Sequence, residues 1–370
     1  MAIVSVALSY FVIIVALSVS AGFREEIRSG IATAGGDVQL TSPTDGLISE
    51  QAPFHVSDTA VCALSLVEGV RSVHPVIYRP GIVKGPSEIS GVLFKGIDGP
   101  LDSLRVSVPS TLAAQLRLSE GDRLQAYFIG EKVKVRNFTI ASVYEGIMTA
   151  GANPVVFVGM DDMLRVCGWG RGDASAVEIK AARLWRTEAG LGQIAAVSME
   201  TMAKILPEDE SLPVGSTSYH RFPQLFAWLD LIDFNVAIVL ILMTIVAGFN
   251  MVSGLLIMLF RNIPTIGILK SLGMSSGGIS AVFLMSASRV VLKGMAAGNA
   301  AGLGAMLLQG ATHILKLDPA NYFVDHVPVA IPWARIIAAD AASYLVIMAL
   351  LLIPCLFINR VDPARTVRAQ

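Results

Sequence analysis

Hydrophobic positions in this chain cluster into four long runs that are nearly free of charge. The first and second runs, residues 2–23 and 234–260, contain no charged side chain. The third and fourth, residues 290–309 and 336–358, contain one each. Crossing the hydrocarbon core of a bilayer takes about 20 mostly apolar residues. The pattern therefore predicts four transmembrane helices.

Between the first and second runs the pattern changes to short alternating segments, separated by glycine and proline. Alternation of apolar and polar residues predicts strands, and capped amphipathic stretches predict helices. Strands are expected at residues 37–41, 72–78, 92–97, 123–128, 132–143, 155–158 and 176–179. Helices are expected at residues 57–66, 109–116, 161–166 and 186–203. The segment is therefore predicted to be a mixed α+β domain of two lobes.

These patterns divide the whole chain. Transmembrane helices are expected at residues 1–23, 225–260, 279–309 and 333–359. The remaining segments are a large extracytoplasmic domain at 24–224, a cytoplasmic loop at 261–278, a short periplasmic loop at 310–332 and a cytoplasmic tail at 360–370. The predicted fold class is a membrane α-helical protein with four transmembrane helices and a large mixed α+β extracytoplasmic domain inserted between helices 1 and 2.

Basic residues near the ends of the apolar runs predict the orientation. Arg261 and Lys270 lie between the second and third runs without an acidic neighbour, and the tail after the fourth run is also basic. Cytoplasmic flanks carry an excess of Lys and Arg, so both segments, and with four spans both termini, are predicted to be cytoplasmic. A cleaved signal peptide fits the first run poorly, because it has no basic start and exceeds the usual ~7–15 apolar residues. We expect a cytoplasmic segment that precedes the first span to be missing from this sequence.

Composition and motifs exclude several classes of function. Hydrophobic residues make up 54% of the chain and charged residues 15%, against about 25% charged in soluble domains. The net charge of −1 gives no basic footprint for nucleic acid. No catalytic motif is present, and the three cysteines and five histidines show no metal-type spacing. Whether Cys62 and Cys167 pair stays open.

The cytoplasmic loop contains a short apolar helix. Pro264 suits its start and Gly273 suits the residue after its end. Its apolar positions are Ile266, Ile268, Leu269 and Leu272. Such a helix is unfavourable in water, so it either lies on the membrane surface or docks on a cytosolic partner.

This loop also carries a family resemblance. Residues 266–273 read IGILKSLG and resemble the IGxLKALG signature of the FtsX-like, lipoprotein-releasing (LolC/LolE-like) ABC transporter permeases. The same family is resembled at residues 18–28, 225–235, 247–256, 293–299 and 361–365. The chain departs from the family at residues 261–263, where Arg-Asn-Ile replaces an acidic-basic-Thr run.

The resemblance implies that the loop is a coupling helix, which docks on a separate cytoplasmic ABC ATPase subunit. The residues implied in this coupling are Arg261, Asn262, Thr265, Ile266, Gly267, Ile268, Leu269, Lys270, Ser271, Leu272 and Gly273. ATP and Mg would be bound by the partner, because this chain has no GxxxxGK[ST] phosphate loop. The chain itself is expected to be a non-catalytic subunit without a bound cofactor or metal.

The resemblance further implies a function in the bacterial inner membrane. A lipoprotein is extracted from the outer leaflet and delivered to a periplasmic carrier by a dimer of permeases, formed by this chain with itself or with a paralogue. One alternative is an FtsX/MacB-like mechanotransmitter for small-molecule export or for control of a cell-wall hydrolase. Another is a membrane-anchored sensor without an ATPase.

Small and charged residues near the spans are also informative. Gly294, Gly298 and Gly302 recur at every fourth position, a spacing that allows close helix packing in lipid. The contact is either within the chain or at a dimer seam. Asp340 is expected near the outer interface, solvated or in contact with a lipid headgroup or a partner. Two acids, Asp230 and Asp233, are expected to be solvated at the outer end of the second span.

Overall fold

The structure is a computed structural model of the chain. It describes residues 2–43, 53–85, 88–99, 101–129, 133–144, 154–206, 212–317, 324 and 326–356. The predicted tail at 360–370 and the family-like segment at 361–365 lie outside these residues. The chain divides into a helical unit and an α/β unit. The helical unit comprises Met1–Glu25, Ala227–Leu317 and His326–Gln370, and the α/β unit comprises Glu26–Phe226 and Asp318–Asp325.

Helices and strands are numbered in chain order. The helices are α1 (Ala2–Gly35), α2 (Asp58–Ser65), α3 (Ser110–Leu116), α4 (Met160–Cys167), α5 (Glu188–Ile205), α6 (Ser218–Arg221), α7 (Pro223–Arg261), α8 (Ile263–Ser271), α9 (Ser276–Thr312) and α10 (Trp333–Leu356). The strands are β1 (Val38–Thr41), β2 (Phe54–His55), β3 (Val70–Lys84), β4 (Ile89–Ile97), β5 (Arg105–Pro109), β6 (Arg123–Phe128), β7 (Lys134–Tyr144), β8 (Val155–Gly159), β9 (Asp173–Ala174), β10 (Ala176–Ala181) and β11 (Val214–Thr217).

The four apolar runs form the four longest helices. Among the described residues, α1, α7, α9 and α10 are long and apolar enough to cross a membrane, which confirms the prediction of four membrane helices. The helices α1 and α9 extend beyond the apolar runs that predicted them, to Gly35 and Thr312. The core of the helical unit combines side chains from all four, with α8 contributing Ile266.

The α/β unit is built on one mixed sheet of nine strands in the order β11-β1-β10-β3-β4-β8-β5-β7-β6. The long strand β3 serves two groups of partners. Its first half pairs with β10 and its second half with β4, while Ile82, Val83 and Lys84 also pair with β6. This last pairing closes the ring β3-β4-β8-β5-β7-β6, so six of the strands form a barrel.

The barrel and the open part of the sheet have separate hydrophobic cores. Phe94, Phe128 and Phe138 meet inside the barrel core, with the first two ring centroids 4.7 Å apart. The second core lies between β1 and β10 and the helices α2 and α5. The α/β unit thus contains two hydrophobic cores on one continuous sheet.

The alternating segments all form strands, and β6 has the predicted bounds. The strands β5 and β11 were not predicted, and neither was the short pair β2–β9. Ser57 caps α2, accepting a hydrogen bond from the backbone N–H of Ala60. Cys62 and Cys167 are free, which answers the question of their pairing.

Candidate functional site

The cytoplasmic loop of the sequence analysis forms helix α8. Asn262 precedes the helix, and Pro264 lies in its first turn, where the backbone N–H that proline lacks has no helical partner. Gly273 follows the helix with φ +90, in the left-handed region where glycine is favoured. The backbone N–H groups of Gly273 and Met274 bond to carbonyls of the last turn. The sequence thus fixes both ends of α8.

The two faces of α8 have different environments. Ile266 is 1% exposed and belongs to the core of the helical unit, and Gly267 is also buried. On the opposite face Ile268 and Leu272, four residues apart, are 54% and 78% exposed. Burying such a side chain fully is worth about 1.5–3 kcal/mol. The apolar surface that α8 leaves open is therefore the Ile268/Leu272 face, and Ile266 attaches the helix to the core of the helical unit.

The polar residues of segment 261–273 also differ in burial and in hydrogen bonding. Asn262 is half-buried, and its side-chain amide donates a hydrogen bond of 2.7 Å to the carbonyl of Met258. The hydroxyl of Ser271 donates to the carbonyl of Ile268 at 2.8 Å. Of the remaining predicted coupling residues, two are half-buried, Leu269 and Lys270. Three are exposed, Arg261, Thr265 and Gly273. The side chain of Asn262 is thus bonded to the last turns of α7.

The glycines of α9 lie against α1 of the same chain. All three are buried, and a Cβ atom built on Gly298 would lie 2.4 Å from the carbonyl oxygen of Ala7. The corresponding closest distances are 2.7 Å for Gly294, to Val6, and 2.8 Å for Gly302. Contacts below 3.0 Å leave no room for a side chain, so these positions allow the two helices to approach closely.

A charged cluster joins α1 to α7 within the helical unit. Arg24 Nη2 lies 2.9 Å from Asp230 Oδ1 and 2.6 Å from Asp233 Oδ2. The hydroxyl of Ser20 also donates to Asp233, at 2.5 Å. The expectation that both acids are simply solvated is therefore wrong for Asp233, which is largely covered. The signal available in the sequence was the opposite charge at neighbouring ends of two consecutive spans.

Inside the α/β unit, a buried ionic cluster binds the C-terminal end of α1. Lys95 Nζ lies 2.7 Å from Glu178 Oε1, and each of these side chains is 3% exposed. The same ammonium donates to the carbonyls of Thr33 and Ala34, at 2.9 and 3.2 Å. Tyr78 donates a hydrogen bond to Glu178. The negative end of a helix dipole favours cations, so Lys95 stabilises both the helix end and the carboxylate.

Arg221 adds a second cation to this cluster. Its Nη2 donates to the carbonyl of Gly36 at 2.6 Å, and its Nη1 donates to Gln39 at 3.1 Å. Burial lowers the pKa of Lys95, an effect that the charge of Glu178 opposes, and burial also lowers the pKa of Arg221. Burial raises the pKa of Tyr78 well above its ordinary value, and Glu178 raises it further.

The remaining acids and histidines do not form a metal centre among the described residues, where no group of three His, Cys, Asp or Glu side chains converges. Asp161 and Asp162 lie in the first turn of α4, as predicted. Asp162 has a further role that the sequence did not indicate. Its buried carboxylate accepts hydrogen bonds from the backbone N–H of Leu104 at 2.6 Å and from Ser103 at 3.1 Å. The Asp162 carboxylate therefore holds the backbone at Ser103 and Leu104, before β5, against α4.

Comparison with known proteins gives a family and full-length relatives. A family model described as FtsX-like permease C-terminal matches residues 237–363. Over its whole length the chain is similar to the lipoprotein-releasing system transmembrane protein LolC of Xylella fastidiosa. Identity is 22% in strain 9a5c, where 93% of the relative is covered, and 22% in strain Temecula1, where 91% is covered.

Among solved structures, the extracellular domain of the ABC-type transporter YknZ from Gram-positive bacteria matches 49% of this chain. That match covers 98% of the YknZ domain, with 14% identity and a TM-score of 0.32. The periplasmic region of MacB from Actinobacillus actinomycetemcomitans matches 54% of this chain and 97% of its own, with 11% identity and a TM-score of 0.34.

The family assignment rests on the sequence comparisons together with the helices. The family model covers most of α7 and all of α8, α9 and α10. The LolC relatives extend the similarity over the rest of the chain. Residues 237–363 thus match the FtsX-like permease family, and the chain as a whole is similar to LolC-type ABC transporter permeases.

Proposed function

We propose that this chain is the transmembrane subunit of an ABC transporter that extracts lipoproteins from the outer leaflet of the bacterial inner membrane. The lipoprotein is then delivered to a periplasmic carrier on its way to the outer membrane. The observation that carries the proposal is the similarity to LolC, which spans the whole of this chain and more than nine tenths of each relative.

In this proposal the α/β unit lies in the periplasm, inserted between the first and second spans, and both termini are cytoplasmic. The support is the excess of basic residues in the sequence of this loop, since residues 261–278 include Arg261 and Lys270 and no Asp or Glu. Helix α8 then faces the cytoplasm, and its exposed Ile268/Leu272 face is available to a protein on that side.

The Ile268/Leu272 face is the proposed dock for a separate ATPase subunit. ATP and Mg are bound by that partner, and this chain contributes no catalytic group. Two permeases, two copies of this chain or this chain and a paralogue, would work on two ATPase subunits. Because Ile266 attaches α8 to the spans, a displacement of α8 by the partner is passed to the helices it packs against.

The first test replaces the exposed face of α8. The Ile268→Asp/Leu272→Asp variant is expected to lose a co-purifying P-loop ATPase, because two charges replace the apolar contact while the buried face stays intact. In cells depleted of the wild-type chain, this variant should leave lipoproteins in the inner membrane. The measurements are mass spectrometry of the detergent-purified complex and fractionation of lipoproteins between the two membranes.

The matched control is Ile89→Asp/Leu184→Asp, which makes the same substitutions at residues of the α/β unit that are 65% and 90% exposed. It should keep the ATPase. An ATPase retained by the α8 variant would refute the docking face. Loss of the ATPase with normal lipoprotein sorting would refute lipoprotein release and favour an export or hydrolase-control function. A folded wild-type chain without any ATPase would favour a sensor.

The proposed orientation can be tested with the native cysteines. In intact spheroplasts, a membrane-impermeant maleimide is expected to label Cys62, which is exposed, and not Cys355, which is buried. Burial raises the pKa of Cys167, so less of the reactive thiolate is present and its labelling should be slow. In a Cys62→Ser/Cys167→Ser background, Ser271→Cys on α8 should react only after permeabilisation. The reverse pattern would place the α/β unit in the cytoplasm.

A further inference from the structure

A polar group of side chains lies inside the helical unit, where α1, α9 and α10 meet. Tyr10 of α1 is fully buried and Ser343 of α10 is 3% exposed, and their hydroxyls are hydrogen-bonded at 2.9 Å. One turn before Ser343 on α10, Asp340 Oδ2 accepts a hydrogen bond of 2.5 Å from the side-chain amide of Asn299 on α9. Gly298, next to Asn299, is in contact with Tyr10.

Two oxygen atoms of the Asn299–Asp340 pair have no hydrogen-bond donor. Asn299 Oδ1 and Asp340 Oδ1 are both buried and unpartnered. An ionised aspartate can only accept hydrogen bonds, so it cannot supply a donor to the asparagine oxygen. A buried acceptor without a partner is unfavourable, so two acceptors remain unsatisfied when the pair consists of an amide and a carboxylate.

The pair also has no compensating positive charge. Among the described residues, no Lys, Arg or His forms an ion pair with Asp340. The charge of Asp340 acts on the Tyr10 hydroxyl of α1, and a tyrosine cannot carry a positive charge. Buried charges in proteins are normally paired or neutralised.

We infer that the Asn299–Asp340 pair is a proton-binding site, in which Asp340 is held as a neutral carboxylic acid. The proton resides on Asp340 Oδ1 and is donated to Asn299 Oδ1, while the Asn299 amide donates to Asp340 Oδ2. One proton thereby satisfies both orphaned oxygens and removes the unpaired charge. The neutral pair joins α9 to α10, and Ser343 and Tyr10 extend the polar contacts to α1.

This proton site is tested first by infrared difference spectroscopy of the full chain in detergent at neutral pH, wild type against Asp340→Asn. The wild type should show the C=O band of a protonated carboxyl, and the variant should lack it. Asparagine at 340 keeps a neutral side chain of similar size that can both donate to and accept from Asn299, so thermal stability should be unchanged. Asn299→Ala removes the partner and should lower the melting temperature by several degrees.

Two results would overturn the inference. The first is a carboxylate band assigned to Asp340 in the wild type, together with a clear loss of stability in Asp340→Asn. The second is stabilisation of the wild type by sodium chloride but not by choline chloride, lost in Asp340→Asn, because it would show that a metal cation and not a proton occupies the two oxygens. Neither readout depends on an ATPase or a cargo, so the test is independent of the proposed function.

Discussion

Replacing Lys95 with methionine is expected to destabilise the α/β unit by about 3–5 kcal/mol, the range for removing one partner of a buried ion pair. The substitution leaves Glu178 buried without its cation and removes the donor to the carbonyls of Thr33 and Ala34. Methionine has a similar length to lysine, so the loss comes from the charge and its hydrogen bonds and not from a cavity.

Amide hydrogen exchange of the full chain in detergent measures this loss, read on peptides from β4 and β10. The matched control is Lys204→Met, which breaks an ion pair with Glu200 that is exposed on both sides and should change protection very little. The double variant Lys95→Met/Glu178→Leu should lose less than the sum of the two single variants, because it also removes the carboxylate that Lys95→Met leaves without its ion-pair partner. Equal protection in Lys95→Met and wild type would refute the role of the cluster.

The position of this cluster suggests why two cations are buried beside the sheet. Lys95 and Arg221 both donate to backbone carbonyls at the C-terminal end of α1, where the last carbonyls of a helix lack intrahelical donors. Gly35 allows the close approach, since a Cβ atom there would lie 2.3 Å from Arg221 Nη1. The end of α1 is thereby fixed to the sheet by charge-assisted hydrogen bonds, which are stronger than neutral ones.

Features with a strong local period could be predicted from the sequence. The four membrane helices follow from uninterrupted apolar runs, because a bilayer requires both length and absence of charge. The strand β6 reads as alternating residues, Arg123 to Phe128, and its observed burial alternates in the same way. The ends of α8 follow from Pro264 and Gly273, whose backbone preferences are local.

Features that depend on distant partners could not be predicted. The strands β5 and β11 are short, and β5 is defined by its pairing with β7 and β8. Lys95 and Glu178 stand in strands where an alternating pattern gives no reason to bury a charge, and the reason is the end of α1. The sequence also gives no means of telling which apolar residues of α8 are buried, because tertiary packing decides that Ile266 is buried and Ile268 is exposed.

Because of the glycine contact between α9 and α1, a glycine-to-alanine substitution is expected to lower stability here, whereas in an ordinary helix it raises stability. Alanine is normally more stable than glycine inside a helix by roughly 0.5–1 kcal/mol. Gly298→Ala is instead expected to destabilise the helical unit by about 1–3 kcal/mol, the usual range for overpacking. The added methyl group would meet the backbone oxygen of Ala7 at 2.4 Å and the Cβ of Tyr10 at 2.8 Å, and a backbone atom cannot move aside as a flexible side chain can.

Gly304→Ala is the matched control, because it makes the same change six residues further along α9, where nothing lies within 4 Å of the added carbon. It should leave stability unchanged or slightly increased. Both variants are compared by unfolding of the full chain in mixed micelles with increasing denaturing detergent. A loss in Gly298→Ala alone means that α9 and α1 of one chain are in backbone contact at this position. Equal behaviour of the two variants would mean that Gly298 does not face α1, and the glycines would then be available for a seam between permeases.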